Sequence, residues 1–403
     1  MRGRTGGFCD TFRKNRRRCK GTGASPLFRL AVQYDTIFLA PKNTLDQLVD
    51  HWYYRRLAVF WTMGQHSTIE DVSGHVIPDS VAEMRRVKLG GVEQSITIRG
   101  RNANAPILIW LHGGPGQDET GLWRRYNSAL EDHFVVVYWT QRGTGRSYSN
   151  NIQASSMTIA QFVSDLHELV GYIQRRFGQQ RVVLAGHSWG SSLGVAYAQA
   201  HPDNVAAFVG VSQVVNALAG ERLSYRFTVD EAKRRGDTEA LRELSALGEP
   251  PYPMSSILAQ RNWLEKFGGG SFHQPTSLIN LMWQSFGASE LTLLDGIYYQ
   301  PGVNFSLNSL AAENARVDWW SNARKFQMPV FILSGIFDRN ADAGLQRAYF
   351  DRIKAPVKAH HWFRQSAHSP PFEEPDAFNR VMIDEVLPVV QEWRTIGGQE
   401  QSL

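Results

Sequence analysis

Short apolar runs separated by turn residues dominate the middle of the chain: PILIWLHG (106–113), FVVVYWTQ (134–141), RVVLAGHS (181–188) and AAFVGVS (206–212). Runs with so little polar alternation fit strands covered on both faces. Between the second and third, SMTIAQFVSDLHELVGYIQRRFG places Ile159, Phe162, Val163, Leu166, Leu169, Val170 and Ile173 at helical spacing. Ser156 or Thr158 can cap that helix at its start, and Gly178 at its end. Upstream, MRRVKLGG and VEQSITIRG predict a hairpin turning at Gly90-Gly91. After residue 212 the alternation stops, and it resumes with PVFILSG (329–335), KAHHWF (358–363) and the helical EEPDAFNRVMIDEVLPVVQEW. The pattern predicts an α/β fold with a mostly parallel, doubly covered sheet formed by 76–212 and 321–403. A helical cap would occupy 213–320, rich in aromatics such as Trp263, Phe267, Trp283, Phe286, Tyr298, Tyr299, Trp319 and Trp320.

Composition narrows the possibilities. With 403 residues, of which 42% are hydrophobic and 20% charged, the chain suits one large α/β domain with an insertion. The net charge of +5 would suggest a polyanion partner if it were spread over a face. Residues 1–20, however, hold eight Lys and Arg against one Asp, which leaves the remaining chain at −2. The charge thus describes a solvated basic extension (1–75), with a tether to a polyanion or anionic membrane as the alternative reading, and no nucleic acid partner is expected for the body. Within that extension DQLVDHWYYRRLAVFW has the spacing of a docking helix. Both cysteines, Cys9 and Cys19, lie in it, so the body has no disulfide, zinc cluster or cysteine nucleophile, which suits the reducing cytoplasm. SPLFRLAVQYDTIFLAP is interrupted by Arg29, Gln33 and Asp35 before a signal-peptide core accumulates. RRLAVFWTMG falls short of the roughly 18 apolar residues of a spanning helix, so a soluble protein without a transmembrane segment is expected.

The chemistry-bearing residues follow strands. Gly186-His187-Ser188-Trp189-Gly190 joins a strand to a helix, the place where a serine hydroxyl stands exposed on a sharp turn. Such a hydroxyl needs a base, and the base needs a partner that fixes its tautomer. Asp338 follows PVFILSG, and His368 follows the last strand. Asp342 is the fallback acid. His360 and His361 lie within a strand, while His187 and His112 suit packing or hydrogen bonding. His112-Gly113-Gly114-Pro115-Gly116 supplies the third part, since glycines let main-chain N–H groups approach an oxyanion closely. Gly113 or Gly114 would give one donor and Trp189 the other. A phosphate loop is the rival reading, but it lacks the G-K-[ST] ending. No metal or organic cofactor is required by serine, imidazole and backbone amides.

HGGPG, YWTQRGTGRS (138–147), GHSWGSSLG and the Asp338 and His368 loops together resemble the proline iminopeptidase family of α/β-hydrolases over about residues 84–395. The resemblance implies an α/β-hydrolase fold with a helical cap and removal of an amino-terminal residue, typically proline, from short peptides. It also implies the roles assigned above to Ser188, Asp338, His368, Trp189 and the glycine-loop amides. The family usually reads Asp-Gln-Arg-Gly where this chain has Thr140-Gln141-Arg142-Gly143. Its peptidases carry cap glutamates that grip the substrate ammonium, often in a Trp-Glu pair. Here the nearest match is Trp283-Gln284, with Glu290 and Glu313 as substitutes. Expected alternatives are a carboxylesterase or amidase for small hydrophobic acyl substrates and an inactive hydrolase fold used as a binding protein. Epoxide hydrolase and dehalogenase chemistry needs a carboxylate in place of Ser188.

Overall fold

A computed structural model describes residues 68–252, 254–274, 276 and 293–392, all within one unit spanning Met63–Leu403. The basic segment and docking helix expected before residue 68 lie outside the described residues, as do Trp283, Gln284, Phe286 and Glu290.

Eight strands form one sheet: β1 Val81–Leu89, β2 Val92–Gly100, β3 Ile107–Leu111, β4 Val135–Thr140, β5 Val182–His187, β6 Val205–Val211, β7 Val330–Gly335 and β8 Lys358–Phe363. Their order is β1-β2-β4-β3-β5-β6-β7-β8. β1 pairs antiparallel with β2, and β2 with β4, and every pairing from β4 to β8 is parallel. Every residue of β3 to β7 is buried, as their apolar runs predict. Alternate side chains enter different cores. Ile107, Ile109 and Leu111 join one cluster, and Leu108 and Trp110 the other, because successive residues of a strand point to opposite faces.

The hairpin turn is where the sequence places it. Leu89 pairs with Val92, and Gly90 and Gly91 adopt φ of +54° and +79°, the sign a two-residue turn of this twist requires. Around the sheet run the helices α1 Thr120–Tyr126, α2 Ile159–Phe177 and α3 Trp189–Ala200. Thr158 caps α2, accepting the N–H of Gln161 (3.1 Å), and Gly178 ends it at φ +64°. Between β6 and β7 lie α4 Ala217–Arg235, α5 Thr238–Leu247, α6 Met254–Lys266 and α7 Leu293–Asn314. Trp263 and Phe267 serve this insertion's own small core with Ala232, Ala240 and Leu244. The helix α8 Ala343–Arg352 follows β7, and α9 Pro375–Val381 follows β8. No helix among the described residues is long and apolar enough to cross a membrane.

Candidate active site

Ser188 sits between β5 and α3 at φ +53° and ψ −117°, a conformation that side chains other than glycine rarely adopt. Its N–H is donated to the Val211 carbonyl (3.0 Å), which ties the turn to β6. The flanking glycines are required by packing. A Cβ on Gly186 would lie 2.3 Å from the Gly190 carbonyl oxygen, and one on Gly190 would lie 1.9 Å from that of Leu111. The backbone at these two positions leaves no space for a side chain.

Asp338 and His368 come together from the carboxyl ends of β7 and β8. His368 Nδ1 lies 3.0 Å from Asp338 Oδ2, and Asp338 is fully buried. That carboxylate is held on every side: Oδ1 accepts the N–H groups of Asn340 and Ala341 (both 2.9 Å), and Oδ2 also accepts Gln346 Nε2 (3.0 Å). A buried, fully hydrogen-bonded carboxylate fixes the imidazole tautomer that leaves Nε2 as the proton acceptor. His368 Nε2 is buried and has no hydrogen-bond partner among the described residues. Asp342, the fallback acid, caps α8 instead, accepting the Leu345 N–H (2.9 Å). The loops meet as closely as glycine permits, since a Cβ on Gly335 would lie 2.0 Å from the Ala367 carbonyl oxygen.

A cavity of about 560 Å³ lies against this edge of the sheet, bordered by Ser188, Trp189, His368 and Gly114 and, from the insertion, by Glu221, Arg261, Tyr299 and Leu307. Trp189 is the first residue of α3, so its N–H has no partner within the helix. Gly114 has φ +110°, and a Cβ there would lie 2.7 Å from the Gly116 nitrogen. Gly113, unlike Gly114, does not border the cavity, and its carbonyl oxygen faces His112 Nδ1 at 3.0 Å. Gln141 binds these parts together: Oε1 accepts the Trp189 indole N–H (3.0 Å), and Nε2 donates to the His112 carbonyl (3.1 Å). A serine, an imidazole and a glycine-rich loop thus border one cavity.

Residues 106–239 match the family described as alpha/beta hydrolase fold. The probable aminopeptidase YbaC of Bacillus subtilis (strain 168) is 32% identical over 308 residues, covering 75% of this chain and 96% of that protein. The chain belongs to the proline iminopeptidase-like family of α/β-hydrolases. Within that family, the proline iminopeptidase of Heyndrickxia coagulans is 25% identical over 70% of this chain and 91% of its own length. The crystal structure of the Mycobacterium smegmatis proline iminopeptidase shares the fold, with a TM-score of 0.56, 18% identity and coverage of 78% of this chain and all of that one.

The chain's departures from the family pattern have structural counterparts. At the position of the usual aspartate, Thr140 donates its hydroxyl to Asp118 Oδ2 (2.9 Å), so a carboxylate from the glycine loop faces the altered position. Glu313 is removed from the expected substrate contacts. It does not border the cavity, and its carboxylate accepts the Ile159 N–H (2.6 Å) at the start of α2, where an anion meets the positive end of the helix. Sequence reasoning missed Glu119, which joins His187 Nδ1 (2.6 Å) and Trp110 Nε1 (3.0 Å). It also missed Glu373, which accepts the N–H groups of Ala367 (2.9 Å), Ser369 (3.3 Å) and His273 (2.6 Å). Both are glutamates in polar stretches, and only their depth in the fold distinguishes them.

Proposed function

We propose that this α/β-hydrolase is a serine hydrolase working through an acyl-enzyme. Ser188 attacks the acyl carbon, His368 takes its proton and returns it to the leaving group, and Asp338 holds the imidazole in the working tautomer. The N–H groups of Trp189 and Gly114, with Gly113 as the alternative donor, receive the developing oxyanion. Water then releases the acyl group. One observation carries this reading: Ser188, held at φ +53°, borders the same cavity as His368, whose Nδ1 is fixed by Asp338 and whose Nε2 is left unpartnered among the described residues.

The substrate class we infer is a short peptide that loses its amino-terminal residue. The names of the relatives support it. So do the carboxylates of Glu221 and Glu265 on the cavity border, which favour a cationic amino terminus over a neutral acyl chain. A carboxylesterase acting on small hydrophobic acyl groups is the second reading. It is favoured by the pairing of Glu221 with Arg261, which cancels one of those charges, and by the apolar wall of Val214, Val215, Leu307 and Phe372.

Turnover of proline p-nitroanilide against p-nitrophenyl butyrate separates the two. We expect the anilide to be the better substrate, N-acetylation of it to abolish cleavage, and Ser188→Ala to lower kcat by about 10³-fold or more. Equal rates for the free and acetylated anilides would overturn the peptidase reading. Tight ligand binding without turnover of either substrate would leave a binding protein.

A further inference from the structure

His187 stands directly before Ser188 at the end of β5, and its ring is buried with both nitrogens facing acceptors. Nδ1 lies 2.6 Å from Glu119 Oε1, and Nε2 lies 2.7 Å from the main-chain carbonyl of His368. A carbonyl oxygen only accepts, so Nε2 must carry a proton. Nδ1 and Glu119 then share a second proton, whichever of the two atoms holds it. Either way the pair offers the same single donor to His368. The other Glu119 oxygen takes the Trp110 indole N–H (3.0 Å), which fixes the carboxylate against β3. Burial alone would lower the pKa of His187, but the charge and hydrogen bond of Glu119, with smaller contributions from the His368 carbonyl and Asp338, turn the direction upward.

The carbonyl that receives this bond belongs to the residue read above as the general base. It accepts a second bond from Ser212 Oγ (2.8 Å), at the end of β6, where Ser212 has φ +48°. His368 is thus held at two points by two carboxylates: Asp338 orients its ring, and Glu119, acting through His187, anchors its backbone. The residue that supplies the anchor is the chain neighbour of the nucleophile. We propose that His187 is a positioning residue for His368, which couples the turn of Ser188 to the loop of His368 so that hydroxyl and imidazole keep a constant separation. The proposal rests on the serine hydrolase reading. Its energetic logic is that misplacing a reacting group by about 1 Å costs on the order of 10²-fold in rate.

The test compares His187→Gln, whose amide places an N–H where Nε2–H was, with His187→Leu, which fills similar space without a donor. Both are made with Glu119→Gln, so that neither protein buries an unpaired carboxylate. We expect kcat to fall about 100-fold in the Leu protein with KM changed less than about threefold, and the Gln protein to stay within about tenfold of wild type. Equal kcat in the two proteins, or a loss confined to KM, would overturn the proposal. Histidine-selective 15N NMR gives a readout independent of turnover. The His368 ring signals should keep their wild-type positions in the Gln protein and move in the Leu protein, and their coincidence in all three would also overturn it. Should the wild-type enzyme turn over neither substrate, the serine hydrolase reading fails while the NMR comparison still decides the coupling. If the Leu protein does not fold, Ser212→Ala removes the other donor to the same carbonyl and is read in the same two ways.

Discussion

An added methyl group at Gly190 would meet the Leu111 carbonyl oxygen at 1.9 Å, whereas one at Gly220, inside α4, would find nothing within 4 Å. The two glycines have the same chemistry and opposite consequences. Because backbone cannot move aside cheaply, Gly190→Ala should destabilise the protein by about 3 kcal/mol or more, above the usual range for a point substitution. Gly220→Ala should instead stabilise it by about 0.5–1 kcal/mol, since alanine loses less conformational freedom in a helix. Urea unfolding midpoints check both, and equal shifts would contradict the packing argument. At this scale the sequence spoke clearly where geometry leaves one residue type possible. The glycines of Gly186-His187-Ser188-Trp189-Gly190 mark the turn because no other residue fits. His187 gave no comparable signal, since its meaning depends on Glu119, 68 residues earlier.

Arg142 shows how elements are joined. Its guanidinium makes paired bonds to Asp165 on α2 (2.8 and 2.9 Å) and donates to the Gly90 carbonyl (2.9 Å) in the β1–β2 turn. Both charged side chains are almost completely buried. Gly90 must lack a side chain partly because the pair lies against it, with Asp165 Oδ1 2.0 Å from where a Cβ would be. Removing one partner strands the other charge, so Arg142→Met should cost about 3–5 kcal/mol, and Arg142→Met with Asp165→Leu should recover at least about half of it. Equilibrium unfolding of the two single variants and the double variant measures this, and additive losses would refute the coupling. Apolar periodicity revealed α2 and the strands on both sides of it because each buries a continuous face. The same pattern was silent about Arg142, since a charged residue next to a glycine in a turn ordinarily points to solvent.

Across the whole molecule, Glu373 joins the insertion to the loop of the proposed base. It accepts the N–H of His273 from one and those of Ala367 and Ser369, on either side of His368, from the other. Burial raises its pKa to about 7, opposed by those three donors and reinforced by Asp338. The unfolded chain gives up this proton near pH 4.3, so between about pH 4.5 and 7 the native state binds more protons and its stability falls as pH rises. Glu373→Gln should remove that share of the slope. Unfolding free energies at pH 5 and pH 8 would show wild type losing more stability than the variant over the interval, and parallel losses would exclude Glu373 as the source.

The chain by itself determined the α/β class, the buried strands, the β1–β2 turn, a helix capped at Ser156 or Thr158 and the strand-end positions of Ser188, Asp338 and His368. These are legible because local rules govern them: continuous apolar runs in strands covered on both faces, turns that need glycine, and helix capping within three residues. Tertiary structure alone decided that Glu313 caps a helix instead of bordering the cavity, and that Glu119, His187 and Glu373 surround His368. Each of those outcomes depends on which carboxylate is buried beside which donor. Burial and proximity across dozens of residues arise only when the strands have taken their places, and a residue's identity carries no record of them.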